Sequence, residues 1–150
     1  MIQPFRDELT AAGFTELHTA AEVDASVRQK GTTLVVVNSV CGCAAGQARP
    51  GVALAVRHPL RPERLVTVFA GQDLEATARA RSYFTGASPS SPSIGILRDG
   101  KLVYLLQRHE IQMMDARAVA VALGAAFEAI AGGGEAATVP APGLELPARV

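Results

Sequence analysis

Thr33 to Val37 reads TLVVV, an uncharged run in which only Leu34 is not β-branched. Such a run has no polar side to turn toward water, so it predicts a strand covered on both faces. A strand of that kind needs helices above and below it, and that requirement narrows the chain to an α/β fold with a central sheet. The run leads directly, through Asn38-Ser39-Val40, into Cys41-Gly42-Cys43, which holds the only two cysteines in the chain.

The flanking patterns supply the covering elements. Phe5 and Leu9 are four apart and predict a short helix over Pro4 to Ala12. Thr19 with Glu22 forms a capping box for a helix to Arg28, whose Val23 and Val27 make an i, i+4 pair. Ala44 to Val56 reads as helix with Pro50 inside it, a position where proline removes a backbone bond and should kink the helix. Arg64 to Ala70 (RLVTVFA) is a second strand, and Asp73 is expected to cap a helix to about Tyr83. After the turn-rich stretch Thr85 to Ser93, Ile94–Leu97 and Leu102–Leu106 flank Arg98-Asp99-Gly100-Lys101. The Asp-Gly pair supplies the positive φ angles of a tight hairpin. Asp115 opens a helix to about Ile130 with Val119, Leu123, Phe127 and Ile130 on one face. A βαβ crossover followed by a hairpin and a closing helix predicts a central mixed β-sheet flanked by helices, a three-layer sandwich.

At 150 residues the chain is expected to form one domain, 1–131, with a Pro/Gly/Ala-rich tail, 132–150, expected to be disordered. A domain of this size buries roughly 70% of its unfolded surface and needs no disulfide staples. Fourteen basic and fourteen acidic residues cancel, and no basic run stands out, which argues against nucleic acid or an anionic membrane as partner. The opening MIQPFRDELTAAGF has no basic stretch leading into an apolar run, and no apolar stretch approaches the ~20 residues that span a bilayer. A cytoplasmic location is therefore expected, and in that reducing compartment paired cysteines point to catalysis or metal binding before a structural bridge.

Three readings compete for Cys41 and Cys43. Two small core residues can fall together by chance. C-x-C supplies two metal ligands where structural zinc takes four, and His18, His58 and His109 show no ligand spacing, with Met113 at the second position of an HExxH-like start. The third reading is a reactive dithiol. Cys41 would lie at the carboxyl end of a strand and at a helix N-terminus, where unpaired amides and the helix dipole favour an anion. Such surroundings lower a thiol pKa from about 8.5 into a range of about 3.5–7.5, which makes Cys41 the nucleophile and Cys43 the resolving partner. Gly42 relieves part of the strain in a small Cys-Gly-Cys ring, and the strain that remains makes the bridge easy to reduce. Exchange or isomerase chemistry is expected over strong reductase chemistry.

The element order, with a cysteine pair after the first strand and a proline loop before the hairpin, resembles the thioredoxin fold. Val35–Gly51 (VVVNSVCGCAAGQARPG), Leu65–Gly86 (LVTVFAGQDLEATARARSYFTG), Ser90–Leu97 (SSPSIGIL) and Arg108–Ile111 (RHEI) more specifically resemble the bacilliredoxin family. The resemblance implies a thioredoxin-like domain that removes bacillithiol, a low-molecular-weight co-substrate, from client protein cysteines, with weak disulfide isomerase or reductase activity and no bound cofactor or metal. It matches Cys41 to the family nucleophile and Cys43 to the second motif cysteine, and makes Pro92 the candidate cis-proline. It also places Val35 where thioredoxin has a buried aspartate. A cysteine that often ends the last helix in the family is absent here, where the sequence reads AAFEAIAGGG.

On this mechanism the amides around Gly42 and Cys43 stabilise the thiolate. Asn38, Ser39 and Arg49 are candidates for lining the pocket. Asn38 and Ser39 equally fit a strand-to-helix turn, and an exposed helix position suits Arg49 better. His109 either tunes the cysteines or is an ordinary charged residue after a strand, the commoner case; Met113-Met114 is expected to pack. Partners are bacillithiolated or disulfide-bearing clients. The competing functions are a thiolate carrier holding Cu(I) in a two-coordinate site, and a docking module whose cysteines are inert.

Overall fold

The strand predicted over TLVVV is the centre of the sheet. The computed structural model describes residues 3–132, and in it β2 (Thr32–Asn38) has a neighbour on each side. The sheet has the order β1-β3-β2-β4-β5, with β1 at Thr15–Glu16, β3 at Arg64–Phe69, β4 at Ser93–Arg98 and β5 at Lys101–Leu106. β1, β3 and β2 run parallel; β4 is antiparallel to β2, and β5 to β4. Successive strand side chains point to opposite faces, and β2 divides accordingly. Leu34 and Val36 join the core under α1 (Gln3–Ala11), α3 (Arg49–Ala55) and α6 (Ala116–Ala131). Val35 and Val37 join the core under α2 (Ala20–Val27) and α4 (Leu74–Ser82). Those four side chains are at most 1% exposed, each contributing about 1.5–3 kcal/mol relative to exposure.

Local signals place the rest. Thr19 and Glu22 close the capping box of α2, and Asp115 accepts from the Ala118 amide at the start of α6. All four predicted apolar positions of α6 are buried. At the hairpin Asp99 and Gly100 have φ of 53° and 82°, the left-handed pair that a tight turn demands.

The helix after the cysteines departs from expectation. Ala44–Ala48 is a π-helical turn, in which the Arg49 amide reaches back five residues to the Ala44 carbonyl, and α3 follows with Pro50 in its first turn. The proline is accommodated by widening the turn before it, where a missing N–H and a bulky ring are tolerated. Asp73 occupies the cap position of α4 without capping it: its carboxylate accepts instead from both Arg6 Nη atoms, at 3.1 and 3.2 Å, from His18, and from the Phe69 amide. Two elements have no counterpart in the predicted order, the two-residue β1 and the one-turn α5 (Arg108–Ile111). Among the described residues no helix is long and apolar enough to cross a membrane. The tail expected from residue 132 lies, apart from Gly132, outside the described residues.

Candidate functional site

Where β2 ends, the chain turns into the helix through side chains that hold their own backbone. The Ser39 amide donates to Asn38 Oδ1 at 2.8 Å, and the Cys41 amide donates to Ser39 Oγ at 3.1 Å. The Cys41 carbonyl then accepts from the Ala44 and Ala45 amides at 3.1 and 3.2 Å, so the helix starts on Cys41. Asn38 and Ser39 are both buried. They are the strand-to-helix turn, and Asn38 Nδ2 ties that turn to the Phe5 carbonyl of α1 at 3.1 Å.

Arg49 sits underneath. It is 2% exposed, which overturns its expected place on an open helix face. Its Nη1 donates to Asn38 Oδ1 at 3.0 Å and to the Ser39 carbonyl at 2.7 Å, and its Nε to Glu8 Oε1 at 2.7 Å. The guanidinium also lies 4.8 Å from the Phe5 ring centroid. Arg49 therefore braces the cysteine loop from the core.

Cys41 and Cys43 are half-buried free thiols with sulfurs 3.0 Å apart. Burial by itself pushes the Cys41 thiol up. Hydrogen bonds from the Cys43 thiol, the Ser39 hydroxyl and the Ala44 and Cys43 amides outweigh it, and the Cys41 pKa is lowered. Cys43 moves the other way: burial, its bond to Cys41 and the neighbouring charge raise it, with Arg108 opposing. The two shifts are opposed, so of the pair Cys41 is the thiol that ionises more readily, with the Cys43 thiol donating to it. Gly42 is exposed, keeps a φ outside the left-handed region, and has no atom within 4 Å of where a Cβ would stand. Its expected backbone freedom is not used in the dithiol form.

Ser93 pairs with Val37, so Pro92 stands at the end of the sheet where the cysteine loop begins, and the Ser91–Pro92 bond is cis. Val35 is buried among apolar side chains, so no carboxylate approaches the cysteines from that position. Of the Arg108-His109-Glu110 run, Arg108 bears on Cys43, while His109 is exposed. Arg108 was missed by sequence reasoning because its effect depends on α5, whose only local signal was the Gln107–Glu110 capping box. Met114 packs as expected, but Met113 is 74% exposed. Among the described residues no cluster of three or more His, Cys, Asp or Glu side chains is placed to hold a metal ion.

The fold with a paired thiol at the end of its central strand defines a thioredoxin-like thiol–disulfide redox protein. The thioredoxin-like domain of Arabidopsis NCP (nuclear control of PEP activity) superposes with a TM-score of 0.54 over 85% of this chain and 80% of that one, at 18% identity, a likeness in fold alone. The model of the disulphide isomerase family matches residues 1–131. The bacilliredoxin of Geobacillus kaustophilus is 56% identical over 128 residues, covering 85% of this chain and 88% of that protein. A bacilliredoxin of Koribacter versatilis is 54% identical over 133 residues, covering 88% and 92%. The chain belongs to the bacilliredoxin family.

Proposed function

We propose that the chain removes bacillithiol, or a similar low-molecular-weight thiol, from mixed disulfides on client proteins in the cytoplasm, with weak disulfide isomerase or reductase activity. The observation that carries this reading is the thiol pair itself, sulfurs 3.0 Å apart at the point where the helix starts on Cys41, with hydrogen bonds that lower the Cys41 pKa. The Cys41 thiolate attacks the small thiol's sulfur in the client mixed disulfide. A new S–S bond forms to Cys41, the old one breaks, and the client sulfur leaves as thiolate and takes a proton from solvent. A second small thiolate then attacks the carried sulfur, releasing a small-molecule disulfide and regenerating the Cys41 thiolate. Alternatively Cys43 loses its proton and attacks Cys41, expelling the small thiol and leaving a Cys41–Cys43 bridge.

The site suits protein clients. Val40, beside Cys41, is 60% exposed, so apolar surface adjoins the first thiol. We assign Pro92 to keeping the backbone edge before β4 open to the client.

The test is removal of bacillithiol from a mixed-disulfide client peptide, followed by mass spectrometry. Cys41→Ala is expected to abolish removal. Cys43→Ala is expected to support the first step and to accumulate the small thiol on Cys41 when no free thiol is added. The pH profile of Cys41 alkylation should lie below that of a free thiol, about 8.5, and move up in Cys43→Ala as the stabilising hydrogen bond is lost. Full activity in Cys41→Ala would refute the mechanism.

A further inference from the structure

The arginines at the cysteine end of the sheet fall into two groups. Arg6 is paired with Asp73 and Glu16, and Arg49 with Glu8. Arg108 and Arg81 are not paired: among the described residues neither has a carboxylate within ion-pair distance. Both instead hold consecutive carbonyls of the loop before Pro92. Arg81 Nη2 donates to Ser90 O and Arg108 Nη1 to Ser91 O, each at 3.3 Å. Arg81 is partly covered, whereas Arg108 is exposed. The carboxylate nearest to Arg108 in sequence, Glu110, is wholly buried and accepts from the Gln107 amide at 2.8 Å. On its other side α5 meets the cysteine helix, where Gln47 Nε2 reaches the Gln112 carbonyl at 3.5 Å. The Arg108 charge reaches Cys43 and favours its ionised form. An exposed guanidinium is therefore anchored on the proline loop with its charge felt at Cys43, and among the described residues most of its five donors are directed to no acid.

We propose that Arg108 is an anion-binding subsite for the small-thiol half of the mixed disulfide, selecting low-molecular-weight thiols that carry a carboxylate. This rests on the exchange reading above. A carboxylate on the departing or incoming thiol meets the planar donor fork of Arg108 while its sulfur meets Cys41. Arg81 adds positive potential from behind the loop. A neutral thiol of the same size reacts at the same sulfur without that contact.

The experiment compares two mixed disulfides of one peptide, carboxyethyl (from 3-mercaptopropionate) and hydroxyethyl (from 2-mercaptoethanol), with wild type, Arg108→Gln and Arg108→Lys. Each rate is normalised to that of a free small-molecule thiolate. Wild type should favour the carboxyethyl substrate by roughly threefold or more at low salt, the effect of one unit charge a few ångströms away in a wet site. Arg108→Gln should bring the carboxyethyl-to-hydroxyethyl rate ratio toward one, whatever happens to the two rates separately, Arg108→Lys should keep part of the preference, and added salt should shrink it. Alkylation of Cys41 by iodoacetate and by iodoacetamide reads the same charge without exchange chemistry. The iodoacetate-to-iodoacetamide rate ratio should fall in Arg108→Gln, and a change in thiolate fraction cancels from it. A preference and an alkylation ratio both unchanged in Arg108→Gln overturn the subsite. A fallen ratio with no exchange on either substrate supports the subsite and overturns the exchange reading instead.

Discussion

Replacing Arg49 by Met keeps most of the side-chain volume and removes the guanidinium from beneath the cysteine loop. The Ser39 carbonyl then loses its 2.7 Å donor inside the protein, and a buried polar group left without a partner costs about 1–3 kcal/mol. Asn38 Oδ1 loses one donor but keeps the Ser39 amide, a smaller loss. The contact with the Phe5 ring adds about 0.5–1 kcal/mol. Glu8 is 38% exposed and returns to water, so no buried anion is stranded. The expected cost is about 2–4 kcal/mol, below the upper range for breaking a fully buried pair. In urea, with a slope of about 2 kcal/mol per molar, the unfolding midpoint should fall by about 1–2 M with little change in slope. The same variant frees Ser39, so the Cys41 alkylation profile should move to higher pH. A midpoint within about 0.3 M of wild type, with an unmoved alkylation profile, would refute the assignment of Arg49 as the brace.

Two further perturbations test the packing and the buried charge. Gly95→Ala should lose about 1–3 kcal/mol in thermal unfolding, because its Cβ would stand 2.4 Å from Cε1 of the buried Phe84. Glu110 is pushed up by burial, against the Gln107 amide and the His109 charge, so the folded state binds its proton more tightly than the unfolded chain. Its contribution therefore falls as pH rises from about 4.3, the unfolded value, through the folded one. Glu110→Gln should gain stability relative to wild type between pH 4 and 7 in denaturant titrations, and a constant difference across that range would contradict the assignment.

What could be read from the sequence was what neighbours in the chain decide. The TLVVV strand, the Thr19–Glu22 box, the Asp99-Gly100 turn and the Asp115 cap each depend on residues within a few positions, and all stand as expected. Arg49 and Asp73 failed for the opposite reason. The partners of Arg49 lie 41 and 11 residues away, and Asp73 is drawn from its cap by Arg6, 67 residues away. Neither separation leaves a periodic trace. Pro50 announced a disruption of the helix, but whether the turn would tighten or widen depended on packing against α6, where a Cβ on Gly51 would stand 2.6 Å from Val119. Met113 and Met114 are adjacent and alike in composition, yet only Met114 turns into the core.

The reactive centre has a second address in the chain. Phe5 and Glu8, both in α1, hold Asn38 and Arg49, and so the loop that carries Cys41. Expression starting ten residues downstream would deliver a protein with both thiols, the whole Cys-Gly-Cys motif and an unremarkable thiol count. It would nonetheless lack the first helix against which that motif is seated. An affinity tag fused tightly to α1 raises the same concern. For anyone preparing this protein, the front end of the chain belongs to the chemistry.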